Sequence, residues 1–166
     1  MIFPVSAVDG LSNPGRRRLL VGCGLLGLGL GRLAWSASAD LPAAVSLPEH
    51  LAAALRQGSP LVVMVSLPGC PFCRVARENY LAPMLREQKL PIVQVDMHSK
   101  QVLRAFSGAD ATHERQIQDW RIRIAPTVLF FGPQGAEVAE RLVGAMLPDF
   151  YGAYLEQRLA TARKAL

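Results

Sequence analysis

Two cysteines separated by two residues, Cys70-Pro71-Phe72-Cys73, stand at a junction in the chain. The apolar run Leu61-Val62-Val63-Met64-Val65-Ser66-Leu67 stops just before them, and a helical pattern from Arg74 to Gln88 begins just after. This placement predicts that the first sulfur lies at a helix N-terminus. Unpaired backbone N–H groups and the positive end of the helix dipole favour a thiolate there. The thiolate is the form that attacks a disulfide, so the spacing points to thiol–disulfide chemistry. Cys70 is the expected nucleophile; Cys73, one turn further in and shielded, is the expected resolving thiol. An inert buried pair, or half of a metal site, is the competing interpretation of the same residues.

The remainder of the chain must position that pair. Its 166 residues amount to about one domain, half of them are apolar, and no internal repeat is visible. The net charge of +5 is unevenly spread. Residues 1–39 hold Arg16, Arg17, Arg18 and Arg32 against Asp9 alone, whereas the other 127 residues hold 14 basic and 12 acidic side chains. No basic block and no interleaving of cations with aromatics remains there, which argues against a nucleic-acid partner.

The N-terminal charge belongs to a different pattern. Arg16-Arg17-Arg18 precedes a 13-residue apolar stretch, Leu19 to Gly31, and Ala37-Ser38-Ala39 then precedes Asp40. Basic, apolar and small-residue regions in this order describe a secretory signal over residues 1–39, cut after Ala39. The stretch is shorter than the roughly 17–25 residues of a membrane span. Export to the periplasm is therefore expected, with a membrane anchor formed by an uncleaved signal as the lesser reading. Arg16-Arg17-Arg18-Leu19-Leu20 resembles a twin-arginine signal; an ordinary secretory leader accounts for the same residues, and the route stays open. Leu20-Val21-Gly22-Cys23 resembles a lipoprotein box, but only four residues separate Arg18 from Cys23, too few for an apolar region before the cut. Cleavage removes Cys23 and leaves Cys70 and Cys73 alone. A disulfide closing so short a loop is a poor staple, so even in an oxidising compartment the pair is expected to be reactive.

Residues 40–45 read as a linker and 46–166 as the folded domain. Ser46-Leu47-Pro48-Glu49 is a capping-box pattern opening a helix through Arg56, closed by Gly58. Leu61 to Leu67 has the continuous apolar character of a strand buried on both faces. The helix after Cys73 should extend toward Lys89 with a kink at Pro83. Pro91 to Asp96 is a second strand, so strand, helix and strand form a parallel βαβ unit. A short helix is expected around Gln101–Phe106, and a further one over His113–Trp120 capped by Thr112. Thr127–Phe131 reads as a strand, Gly132-Pro133-Gln134-Gly135 as a turn, and Ala136–Val143 as its hairpin partner. Pro148 opens a last helix that directs Phe150, Tyr154, Leu155 and Leu159 toward a sheet. Trp120, Phe130 and Phe131 are expected in the core, and Glu137, Glu140 and Arg141 on an exposed strand face.

This α/β order resembles the thioredoxin fold over residues 46–165. The resemblance rests on Cys70-Pro71-Phe72-Cys73 after a buried strand, Ile124-Ala125-Pro126-Thr127 before the next-to-last strand, and Gly144 before the last helix. Gly69-Cys70-Pro71-Phe72-Cys73 and the hairpin Phe130-Phe131-Gly132-Pro133-Gln134-Gly135 further resemble exported bacterial thioredoxin-like thiol:disulfide oxidoreductases. The resemblance implies a central mixed β-sheet flanked by helices. It also implies a cis bond between Ala125 and Pro126, packed against the cysteines, with Ala125, Pro126 and Thr127 binding an extended substrate segment through backbone groups. Pro71 and Phe72 would tune the redox pair: Pro71 stiffens the first helical turn, and Phe72 offers a thiolate neither charge nor hydrogen bond. Pro-Phe resembles the Pro-Tyr pair of glutaredoxins, and strong periplasmic oxidants carry histidine where Phe72 stands. A potential between about −270 and −120 mV follows.

The chain also departs from the thioredoxin pattern. Met64 stands where thioredoxins keep a buried aspartate, Gly69 where they carry tryptophan, and Ile92 in the place matched to a lysine. With no buried carboxylate at Met64, water or a group from another segment must move the proton of the second thiol. The expected function is a thiol:disulfide oxidoreductase acting on exported protein disulfides, with reduction slightly favoured over formation. Its partners would be disulfide-containing or dithiol exported proteins and a membrane or periplasmic redox partner; no cofactor is implied. The alternative is a thioredoxin-fold metal-binding module or metallochaperone using Cys70 and Cys73. His98 and His113 have no recognisable metal spacing to that pair and read as solvated. The segment from His98 to Thr112 reads as a loop with a short helix.

Overall fold

The computed structural model describes residues 40–145 and 148–166; the expected signal over residues 1–39 lies outside the described residues. β1 (Leu61–Ser66) is buried at every position, which explains why its sequence shows no alternation. It pairs in parallel with β2 (Ile92–Asp96) and antiparallel with β5 (Thr127–Phe131). β5 in turn pairs antiparallel with β6 (Leu142–Val143), giving a mixed sheet of order β2-β1-β5-β6. Helices flank it on both faces. On one face α2 (Pro71–Ala76), α3 (Ala82–Glu87) and α5 (Pro148–Lys164) bury Cys73, Met84, Tyr151, Leu155 and Leu159 against Val62, Met64 and Phe130. On the other, α1 (Leu47–Arg56) and α4 (His113–Asp119) bury Leu47, Leu51 and Ile117 against Val63, Val65 and Phe131.

Thr112 caps α4, its hydroxyl accepting the Arg115 N–H at 3.1 Å. Trp120 packs against Phe131 with ring centroids 5.3 Å apart. Elsewhere the chain departs from the sequence expectations for identifiable reasons. Between α2 and α3 lies a π-helical turn, Arg77–Leu81, where a bend at Pro83 was expected. There Ala82 N–H reaches back to Arg77 C=O; the widened turn leads into Pro83, which has no N–H to continue an α ladder. The helix expected around Gln101–Phe106 is instead β3 (Val102–Arg104), paired antiparallel with β4 (Asp110–Thr112) as a separate two-stranded sheet. Leu103 alone of its three residues is buried, the alternation of a strand with one face inward.

The hairpin partner expected over Ala136–Val143 shrinks to β6 and a single bridge between Phe131 and Glu137. Glu137 and Arg141 pair with each other, and Arg141 Nη1 donates to Trp120 C=O at 2.9 Å, drawing this stretch off the ladder. Ser46 stands at the N-cap of α1, in extended conformation and bridged to Arg104, yet its hydroxyl makes no capping bond. Phe150 and Tyr154 are 59% and 44% exposed; Tyr151, Leu155, Leu159 and Ala162 form the buried stripe of α5 instead. Residues 41–45, expected as linker, run along β2. Ala44 N–H donates to Gln94 C=O and Gln94 N–H to Pro42 C=O, both at 2.8 Å, with Leu41 and Ala44 buried.

Candidate active site

β1 delivers the chain to the cysteines and ends at Ser66. The turn Leu67-Pro68-Gly69 then reverses it, with Gly69 at φ +76°, a value that favours glycine. Cys70 N–H closes that turn on Leu67 C=O at 3.2 Å. Cys70 is the N-cap of α2, in extended conformation, and Pro71 fills the first turn, where no N–H partner is needed. The capping acceptor is the expected nucleophile: Cys73 N–H donates to Cys70 Sγ at 3.1 Å. Both cysteines are free thiols, Cys70 half-buried and Cys73 1% exposed. Burial pushes the Cys73 thiol up to about 11, and its hydrogen bond to Cys70 adds to this. The Leu67 backbone and the Ser66 hydroxyl act the other way, favouring the thiolate.

A second segment closes on this pair from across the sheet. The Ala125–Pro126 bond is cis. Cys70 Sγ donates to Ala125 C=O at 3.9 Å, so the backbone of this loop lies against the exposed thiol. Pro126 is buried, and its C=O accepts from Gly144 N–H at 2.7 Å, with Gly144 at φ +76°. Thr127 is buried, and its hydroxyl donates to Ile124 C=O at 2.7 Å. Thr127 therefore shapes the loop and presents no side chain outward. Phe72 is 55% exposed, as are Ile124 and Val143 to similar degrees; Val143 is the register partner of Thr127.

The third component was not singled out from sequence. In register, Met64 pairs with Gln94 and Ser66 with Asp96, so the residue beside Met64 is Gln94, not Ile92, which pairs with Val62. This face of the sheet is apolar at Val62 and Ile92 and becomes polar toward the cysteines. Gln94 Nε2 donates to Asp96 Oδ1 at 2.8 Å, and Arg77 Nη1 donates to Gln94 Oε1 at 3.2 Å. Arg77 Nε also lies 3.7 Å from the Asp40 carboxylate. Ser66, Gln94, Asp96, Arg74, Arg77 and Cys70 line a cleft of about 460 Å3. The sequence signal was two apolar runs, each ending in a polar residue at the end where the cysteines begin.

The histidines stand apart from the cysteine pair. His113, expected to be solvated, is fully buried; its Nδ1 accepts Asp96 N–H at 3.2 Å, and Nε2 lies 2.9 Å from Ala44 C=O. A carbonyl can only accept, so Nε2 carries the proton and donates it. His98 is exposed and lies 3.8 Å from Glu114. Among the described residues no group of three or more His, Cys, Asp or Glu is gathered as a metal site would need.

Similarity to known proteins follows the same boundaries. A family described as Thioredoxin-like domain matches residues 47–159. The chain is similar to a poplar thioredoxin h, at 20% identity and TM-score 0.46, covering 66% of this chain and 85% of that one. It is similar to the periplasmic thioredoxin SoxS of Paracoccus pantotrophus, in reduced form, at 19% identity and TM-score 0.42, covering 62% and 98%. It is also similar to Trxlp of Edwardsiella tarda, at 21% identity and TM-score 0.45, covering 68% and 98%. No curated protein matches.

Proposed function

The chain belongs to the thioredoxin-like domain family, and we propose that it is an exported thiol:disulfide oxidoreductase that reduces protein disulfides in the periplasm. Cys70 attacks one sulfur of the substrate disulfide and expels the other, forming a mixed disulfide. Cys73 then attacks Cys70 Sγ, releases the second substrate thiol and leaves the enzyme oxidised. The carrying observation is the position of Cys70 Sγ, 3.1 Å from Cys73 N and 3.9 Å from Ala125 C=O. A substrate segment lying along Ala125 would thus pass the attacking sulfur. The exposed side chains of Phe72, Ile124 and Val143 favour a polypeptide substrate over a small one. Export is inferred from residues 1–39, and among the described residues no helix is long and apolar enough to cross a membrane.

Insulin reduction tests the assignment. Cys70→Ala abolishes turnover, whereas a variant as fast as wild type would sink the role of Cys70. Equilibration with glutathione tests the direction. Phe72 has no imidazole to favour a thiolate, so the potential should lie well below the strong-oxidant value; a result near −120 mV overturns the reductant assignment.

A further inference from the structure

Cys73 must lose a proton before it can attack, and it is buried at 1% exposure among apolar neighbours. Met64 is fully buried on the same face and offers nothing to take that proton. Two polar groups at the cysteine end of the sheet line the cleft beside Cys70. Ser66, 2% exposed, stands at the end of β1 just ahead of the cysteines, and its hydroxyl favours the Cys73 thiolate. Asp96 is its register partner on β2, and both residues line the cleft that opens beside Cys70. The Asp96 carboxylate is held in place by Gln94 Nε2 at 2.8 Å, itself braced by Arg77 at 3.2 Å. Its backbone is fixed by the buried His113, through Asp96 N–H to Nδ1. A carboxylate on rigid strand backbone, in register with Ser66 and lining the same cleft, has the placement a general base needs.

We propose that Ser66 and Asp96 form the proton route of the resolving cysteine, replacing from the neighbouring strand the acid that Met64 does not supply. This rests on the oxidoreductase reading of the same site. In the mixed disulfide, Cys73 passes its proton to Ser66 Oγ as the Ser66 hydroxyl proton moves, through water in the cleft, to the Asp96 carboxylate. The freed electron pair of Cys73 forms the bond to Cys70 Sγ. The bond between Cys70 and the substrate sulfur breaks, that sulfur leaves with the pair and takes a proton from solvent, and Asp96 returns its proton to solvent. Two electrons pass from dithiol to substrate, and no other oxidant or reductant takes part. The other charged or titratable groups around the route are Cys70, Arg74 and Arg77 from the helical segment, Asp40 beside Arg77, Tyr151 from α5, and His113.

The two thiol steps can be watched separately in the full-length protein with dithiobis-nitrobenzoate, which releases one coloured thiolate at each. Ser66→Ala and the isosteric Asp96→Asn should leave the first release unchanged and slow the second about tenfold near neutral pH. Ser66→Thr, which keeps the hydroxyl, should restore it. The deficit should narrow as pH rises, because burial is what holds the proton on Cys73 and alkali removes it without help. Folding damage would not be cancelled by pH in this way. A second release within about twofold of wild type in either variant, or equal slowing of both releases, overturns the route. A wild type that gives no second coloured thiolate would instead overturn the oxidoreductase reading.

Discussion

At the scale of single residues, the two thiols of one motif are held in opposite circumstances. Cys70 caps a helix and touches a backbone carbonyl across the sheet, while Cys73 is one turn deeper and raised by burial. That difference has a measurable consequence for stability. The folded state holds the Cys73 proton up to about 11, whereas the unfolded chain releases it near 9.0. Below the lower value the thiol is neutral in both states and its contribution is complete. Between the two values the unfolded chain binds fewer protons, so stability falls as pH rises. The loss is about 3 kcal/mol at most, taking about 1.4 kcal/mol per unit. Tyr151 is also raised, chiefly by burial and then by the nearby Cys73 charge, so it adds a loss of the same sign. Urea titrations of the reduced protein from pH 8 to 11 should show this decline, and Cys73→Ala should flatten it. An equally steep decline in that variant would refute the assignment.

At the scale of elements, the sequence was most readable where burial is complete and least where a segment is short and half-exposed. β1 and β5 announced themselves because every position is inside. Gln101–Phe106 has helix-compatible residues, and only the burial of Leu103 between exposed Val102 and Arg104 marks it as a strand. On α5 the spacing put forward Phe150 and Tyr154 with Leu155 and Leu159, but the buried stripe through Leu155 and Leu159 takes Tyr151, four residues before Leu155, and leaves Phe150 and Tyr154 exposed. The cysteines and the Ala125-Pro126 loop were legible as motifs. The polar set of Ser66, Gln94 and Asp96 was not, since it exists only through the register between β1 and β2. His113 shows how such registers are locked: it ties the start of α4 to the end of β2 and to Ala44. His113→Phe would fill the space but leave Asp96 N–H and Ala44 C=O without partners. Each buried orphan costs about 1–3 kcal/mol, so a loss of about 2–6 kcal/mol is expected in chemical denaturation. A loss below about 1 kcal/mol would mean that water replaces both bonds.

At the scale of the whole molecule, the packed domain reaches further toward the N-terminus than its helical pattern suggests. The capping-box sequence at Ser46 marks the start of α1 correctly but not the start of the packed chain. Leu41 and Ala44 are buried, and Pro42, Ala44 and Val45 exchange backbone hydrogen bonds with Gln94 and Arg104. These contacts cover the edge of β2, the strand that carries Asp96 and Gln94 into the cleft, and unpaired strand edges invite association. Asp40, beside Arg77, brings the same segment to the rim of the active site. A chain beginning at Leu47 should therefore unfold more easily than one beginning at Asp40. The deficit should be at least about 2–4 kcal/mol, from burying fewer apolar groups, losing four backbone bonds and leaving His113 Nε2 without Ala44 C=O. It should also self-associate through the bared edge, visible as concentration-dependent sedimentation. Equal urea midpoints for the two chains would show that residues 41–45 are a tether after all. A lower midpoint for the shorter chain would show that the packed domain begins ahead of Leu47.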